Sequence, residues 1–407
     1  MSDHYDALET LDPAEREASL LARLPRQLAF ARGRSAYYRD HLSDVDVAAV
    51  TTRAALARVP VTRKSDLHAL QKARRPFGGL EATPASGLAR IFMSPGPIYD
   101  PEGRRADFWQ SARTLFAAGF RAGDVVLNCF SYHLTPAGSM FETGLHHLGC
   151  AVIPGGTGQT EMQARVIADL EPTGYVGTPS FLKIILEKCD ELGVPAASLE
   201  RAIVSGEAFM PAVREFMRGR GVDCYQAYGT ADLGCIAYES AAREGLLVAE
   251  NLLMEIVRPG TGDPVGEGEA GEVVVTTFNE DYPLVRFATG DLSATLPGPS
   301  ACGRTNTRIK GWMGRADQTT KVKGLFVHPH QVAEVLRRHS LPRARLVVEN
   351  EAGEDRMTLH VEGAAGDVAP IEATMKEVMK VRGEVKRVAA GSLPNDGKVI
   401  EDLRKYS

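Results

Sequence analysis

The chain has 407 residues, 44% hydrophobic and 24% charged, with 47 basic against 52 acidic side chains and a formal net charge of −5. That length exceeds one compact core and implies two or three domains. The acidic balance argues against a nucleic-acid binder, whose affinity leans on a basic face, and no stretch approaches the ~20 apolar residues that span a membrane.

The N-terminal stretch MSDHYDALETLDPAEREAS is acidic and has no apolar core segment, so no signal peptide is expected. The six cysteines, at 129, 150, 189, 224, 235 and 302, form no CxxC pair and no metal-ligand cluster. Contexts such as LGCAVI predict buried, reduced thiols. Together these features predict a cytoplasmic protein.

Residues 12–42 read as helical, from an Asp-Pro start with leucines at helical spacing. VPVTRKSDL (59–67) reads as an extended piece and then a capped helix beginning near Thr62 or Ser65. Ile91-Phe92-Met93 reads as a strand end running into SPGPIYDP (94–101), which is expected to be a loop. The block 106–119 is predicted helical and GDVVLNCF (123–130) a buried strand. A regular alternation follows: helices over 136–148, 160–170, 180–192 and 211–219, and strands over 150–154, 174–179, 201–206 and 223–229. Strands alternating with helices of that length form a parallel sheet covered by helices. Ligands of such sheets sit at the carboxyl ends of the strands, here GTPS, SGEAF and YGTAD. Beyond residue 245 strands separated by Gly/Pro turns make a β-rich lobe; 311–324 is polar, turn-like and a candidate hinge; the rest reads as a small α+β domain. The predicted class is α/β, with a large domain over 1–314 and a small one over 315–407.

LGCAVIPGGTGQTEMQ, SGEAFMPAVREFM, YGTADLG, VRFATGDL, GRADQTTKVKGLFVHPHQVAEVL and LPNDGKV, in this order, resemble the acyl-adenylate-forming superfamily and, within it, the phenylacetate–CoA ligase family. The resemblance covers nearly the whole chain. It implies an enzyme that adenylates a carboxylic acid with ATP and Mg²⁺, releases pyrophosphate and passes the acyl group to CoA, the small domain rotating between the two steps. An aryl or arylacetic acid is the implied substrate, and a homodimer the implied assembly.

The resemblance also carries site residues. Asp291 would hold the ribose hydroxyls, since a carboxylate accepts two such bonds well. Arg315 would lie near the ribose and α-phosphate, Asp317 would be the hinge residue, and Lys398 the mobile lysine that stabilises charge in adenylation. Tyr228, with Gly229 and Thr230, would lie against the adenine, faced by the backbone of Gly206, Glu207 and Ala208. Asp232 stands at the glutamate that helps hold Mg²⁺. Lys323 and Gly324 occupy the Arg-Gly position facing the CoA thiol channel. Phe130, Tyr132, His133 and Phe141 fall in the segment that shapes the acid pocket, and as aromatics they serve equally well as core.

SPGPIYDP departs from the family's phosphate loop. Ser94, Gly96 and Pro101 are kept, but Pro97 and Ile98 replace threonines, Tyr99 replaces a glycine, and Asp100 replaces the lysine and inverts its charge. Ala231 stands where a hydroxyl usually touches phosphate. Three accounts stay open: other cations such as Arg90, Arg104 and Arg105 serve the phosphates; the enzyme uses a pre-activated acyl donor; or the protein binds nucleotide or acyl groups without adenylating them. YESAAREGLLVAEN lacks the Cys and His of the family's zinc site, so no zinc is expected.

Overall fold

The fold is that of a computed structural model, which describes residues 3–95, 97–322, 325–351, 354–363, 366–394 and 398–404. Contacts divide the chain into two compact units: Met1–Arg258 with Gly262–Thr289 and Ala294–Gly311, and Pro259–Thr261 with Gly290–Ser293 and Trp312–Ser407. Among the described residues no helix is long and apolar enough to cross a membrane, and the six cysteines are free thiols, five of them buried.

The first unit opens with the helix Pro13–Arg34, started by Asp12, whose carboxylate accepts from the amides of Ala14 and Glu15 at 2.8 and 3.2 Å. Ser35 ends it and caps a second helix, Ala36–His41, so the single predicted helix is two. The predicted capped helix after residue 59 is instead a two-residue strand, Thr62–Arg63, a 3₁₀ turn, Lys64–Asp66, and the helix Leu67–Ala73, neither of the latter with a side-chain cap. The helix expected over 106–119 covers only Ser111–Ala117. Asp107 and Gln110 take φ of +47° and +58°, which stops a helix, and the Asp107 carboxylate accepts the amides of Ser111 and Ala112 at 2.8 and 3.1 Å.

Among the described residues nine strands form the main sheet, ordered Thr295–Leu296, Arg308–Ile309, Leu246–Val248, Gly234–Glu239, Asp223–Thr230, Arg201–Val204, Gly174–Gly177, Val125–Asn128 and Ala151–Ile153. The five strands from Ala151–Ile153 to Asp223–Thr230 run parallel, linked by the helices Ala137–Leu148, Thr160–Leu170, Pro179–Leu192 and Pro211–Gly219. The predicted alternation is therefore present. The sheet then turns antiparallel at Gly234–Glu239. A four-stranded sheet, ordered Thr62–Arg63, Phe287–Ser293, Gly271–Thr277 and Leu252–Val257, builds the β-rich lobe. Its buried Arg286 donates to Glu255 at 3.0 Å twice and to the carbonyls of Ala57, Val59 and Gly262. That spends the guanidinium's donors on fixed acceptors, as a buried cation requires.

SPGPIYDP is not a loop. It is most of an antiparallel hairpin of Arg90–Ser94 and Ile98–Glu102, with Phe92 opposite Asp100 and Ser94 opposite Ile98. The chain reverses at Pro95–Pro97, where two prolines flank a glycine; Gly96 itself lies outside the described residues.

In the second unit the antiparallel strands Arg343–Glu351 and Glu354–Glu362 are flanked in parallel by Ile400–Asp402 and Glu384–Val388. The helices Pro329–Arg338 and Ala369–Met379 turn Val332, Val335, Ile371 and Met375 onto Leu346 and Leu359. This is the expected α+β arrangement.

Candidate active site

In the first unit the carboxyl ends of the parallel strands surround a cavity of about 200 Å³. Ser94 and Pro95 of the hairpin, Ser205 and Gly206, and Gly229 to Ala231 border one side; Phe130, Ala137, Met140, Phe141, Ala227 and Cys235 form the rest. Phe130 and Phe141 stack on each other, centroids 5.1 Å apart and 14° between planes. Among the described residues no charged side chain lines it. Burial, with Asp107 nearby, pushes the Cys235 thiol up to about 12, so it is a neutral wall atom and no nucleophile. Of the four aromatics expected in the acid pocket, Phe130 and Phe141 line this cavity. Tyr132 and His133 do not: both are exposed on the loop before the helix, where the Asn128 amide donates to the Tyr132 hydroxyl at 2.8 Å. Sequence position alone cannot separate them, because a loop has no fixed facing period.

Tyr228 is buried near the end of its strand and donates to Thr289 at 3.4 Å. Between Tyr228 and Gly229 the register slips, and a Cβ on Gly229 would stand 2.5 Å from the carbonyl of Gly234; only glycine fits this bulge. Gly206 has φ +85°, and a Cβ there would make ordinary contacts with Thr178 at 3.7 Å and Phe130 at 3.8 Å. Gly206, Glu207 and Ala208 are exposed, and Glu207 accepts from the Ser180 amide at 2.7 Å at the start of the helix Pro179–Leu192.

Behind the hairpin lies an acidic cluster that the sequence does not announce. Asp100 is fully buried, and among the described residues neither carboxyl oxygen meets full hydrogen-bond geometry, although the hydroxyl and amide of Ser94 bear on it and temper its rise; Asp232 Oδ1 and the Tyr282 hydroxyl likewise lack a partner there. Burial first, and the Asp232 charge second, raise Asp100 to about 8. Asp232 Oδ2 accepts from Lys64 Nζ at 2.5 Å. Arg90, Arg104 and Arg105 are engaged elsewhere: Arg90 pairs with Glu102, Arg104 donates to the Gly87 carbonyl at 3.1 Å and Arg105 to the Phe108 carbonyl at 3.1 Å. Glu102 also accepts from Trp109 Nε1 at 2.9 Å and Ser139 Oγ at 2.7 Å, tying the hairpin to the helix that carries Met140 and Phe141. Asp232 Oδ1 is a hard oxygen donor of the kind Mg²⁺ takes. Among the described residues no group of three or more His, Cys, Asp or Glu gathers to hold a metal.

The second unit holds the other predicted residues. Asp291 bridges to Arg315, accepting its guanidinium at 3.2 Å and Trp312 Nε1 at 3.0 Å. Arg315 also donates to Asp317 at 3.3 Å, within the 3₁₀ turn Ala316–Gln318. Lys398 is half-exposed with Nζ 3.9 Å from Glu401. The next residue, Val399, donates its amide to the Gln318 side chain at 2.7 Å, so the lysine segment and the Asp317 turn are fastened together. Lys323 and Gly324 lie outside the described residues.

The chain is similar to known proteins over most of its length. Residues 106–279 match the AMP-binding enzyme family. The chain is 33% identical over 374 residues to the phenylacetate–coenzyme A ligase of Thermus thermophilus, covering 87% of this chain and 83% of that protein. Against the Escherichia coli phenylacetate–coenzyme A ligase it is 29% identical over 98% of this chain and 97% of that protein. An open conformation of 2-hydroxyisobutyryl-CoA ligase, solved with 2-hydroxyisobutyryl-AMP and CoA, superposes with a TM-score of 0.86 at 25% identity over 98% of this chain and 94% of that one. The chain belongs to the phenylacetate–coenzyme A ligase family of AMP-forming acid–CoA ligases.

Proposed function

We propose that this chain activates an uncharged aryl or arylacetic acid with ATP and transfers the acyl group to CoA. The cavity carries the substrate half of that reading: it is small and apolar, has a stacked aromatic pair as one wall, and offers nothing to pair with a second charge on the acid. A carboxylate oxygen attacks the α-phosphorus and pyrophosphate leaves. The CoA thiol then attacks the acyl carbon, its proton is lost, and AMP leaves. Asp291 and Arg315 hold the ribose and α-phosphate, Tyr228 and the 206–208 backbone enclose the adenine, and Lys398 neutralises charge on the reacting oxygens. Asp232 would be the protein's ligand to Mg²⁺, which supplies charge neutralisation on the phosphates. Lys323 and Gly324 belong to the thiol channel in this scheme, and residues 315–407 rotate about Asp317 between steps.

The test is acid-dependent exchange of labelled pyrophosphate into ATP, followed by thioester formation with CoA, across aryl, arylacetic, short aliphatic and dicarboxylic acids. Exchange and thioester strongest with uncharged aryl or arylacetic acids is the expected result. Preference for dicarboxylic acids would overturn the substrate class. A folded protein that binds AMP yet exchanges with no acid would overturn adenylation and favour a pre-activated acyl donor.

A further inference from the structure

A loop that grips triphosphate needs a cation, and this hairpin has no lysine of its own, while its flanking arginines are exposed and turned to other partners. Arg90 pairs with Glu102, and Arg104 and Arg105 each give one donor to a backbone carbonyl. The amine comes from a different part of the chain. Lys64 places Nζ 2.5 Å from Asp232 Oδ2, directly after Thr230 and Ala231, which border the cavity. Its charge also acts on Asp100, the residue that replaces the loop lysine. The Lys64 side chain is 22% exposed, whereas the Asp232 side chain is fully buried, so the ammonium stands on the solvent side of the pair.

The segment that carries Lys64 is joined to the hairpin. Gln71 donates to the Tyr99 carbonyl at 2.8 Å and accepts the Tyr99 amide at 2.7 Å, and His68 Nδ1 lies 3.3 Å from the Pro97 carbonyl. Lys64 therefore keeps a fixed register with the turn at Pro95–Pro97. Thr62 and Arg63, just before it, pair with Phe287 and Ala288, which anchors the other end.

We propose that Lys64 is the triphosphate-binding cation of this enzyme, supplying to the β- and γ-phosphates the ammonium that the hairpin lacks, with Asp232 as its positioning residue. The proposal rests on the ligase reading above. A lysine suits the task because its four-carbon stem swings a compact charge with three donors from a carboxylate to a phosphate oxygen without moving backbone.

The experiment compares Lys64→Met with the native protein in three readouts: calorimetric binding of ATP and of AMP, pyrophosphate exchange, and thioester formation from synthetic acyl-adenylate and CoA. Lys64→Met should weaken ATP binding and exchange by about 10- to 100-fold, leave AMP binding and the acyl-adenylate step at native levels, and Lys64→Arg should recover part of the loss. Unchanged ATP affinity would overturn the assignment, as would an equal loss of ATP, AMP and acyl-adenylate reactivity, which marks a structural role. The native protein gives a check that needs no variant: ATP or inorganic pyrophosphate, but not AMP, should protect Lys64 from an amine-acylating reagent, read by peptide mass spectrometry. Equal labelling with and without pyrophosphate would overturn it. Failure of the ligase reading looks different: the native protein then exchanges with no acid whatever Lys64 does.

Discussion

At Asp100 the strand register decides what the carboxyl group faces. Ile98, Asp100 and Glu102 point into the protein and Tyr99 points out, so the Asp100 carboxyl lies in the interior and not on the exposed face of the hairpin. Burial, and then the Asp232 carboxylate close by, outweigh the lowering pull of Ser94 and Lys64, so it keeps its proton up to about pH 8. From 3.8, its ordinary value, up to about 8 the folded state therefore holds a proton that the unfolded chain has released. Stability falls as pH rises through that window and levels off above it, with a slope of at most about 1.4 kcal/mol per pH unit. Asp100→Asn keeps the shape and removes the titration. Thermal melting in metal-free buffer from roughly pH 5 to pH 8 should decline for the native protein relative to the variant. Parallel curves would show that Asp100 is ionised in the fold.

The hairpin and the helix Leu67–Ala73 are joined by the Gln71 amide, which makes two bonds to Tyr99, and by His68 beside the Pro97 carbonyl. Gln71→Leu strips two hydrogen bonds from the Tyr99 backbone and should cost about 1–3 kcal/mol locally. The expected outcome is faster hydrogen exchange at the Tyr99 amide and weaker ATP binding, with the acyl-adenylate-to-CoA step retained. Native exchange at Tyr99 would show that the pair is held by something else. The elements most legible in sequence are those with a strong period: the four helices and intervening strands from Ala137 to Thr230 lie within a few residues of their expected bounds, because apolar spacing and Gly/Pro punctuation agree there. The hairpin was not legible, since a Pro-Gly-Pro turn matches loop chemistry as well as strand reversal. The helix over 106–119 was overextended because Asp107 and Gln110 adopt left-handed backbone that their identities do not demand.

For the whole molecule, the residues assigned to the proposed reaction do not all fall in one unit. Asp291, Arg315, Asp317 and Lys398 all belong to the second, and Lys398 is the residue the adenylation step should miss most. Lys398→Ala should cut pyrophosphate exchange by about 10²- to 10³-fold, the scale seen when one donor to a developing charge is removed, and leave AMP binding and thioester formation from synthetic acyl-adenylate nearly intact. Equal loss of both half-reactions would remove Lys398 from that role. The family motifs made these residues visible because each sits inside a short local pattern. Lys64 had no such pattern: its partner Asp232 lies 168 positions away, and only folding brings a lysine at a 3₁₀ turn to an aspartate at a strand end.

The stretch 290–293 follows directly on residues of the first unit in sequence but is grouped with the second by its contacts. Leu292 exchanges hydrogen bonds with Met313 and Gly314 at 2.9 and 2.8 Å, and Asp291 pairs with Trp312 and Arg315. Modularity in this enzyme therefore does not follow chain order. A chimera that grafts 315–407 from a relative would keep its own Asp291 but receive a foreign Arg315, splitting a matched pair between two parents. The transplantable piece is discontinuous: residues 259–261 and 290–293 must travel with everything after 311.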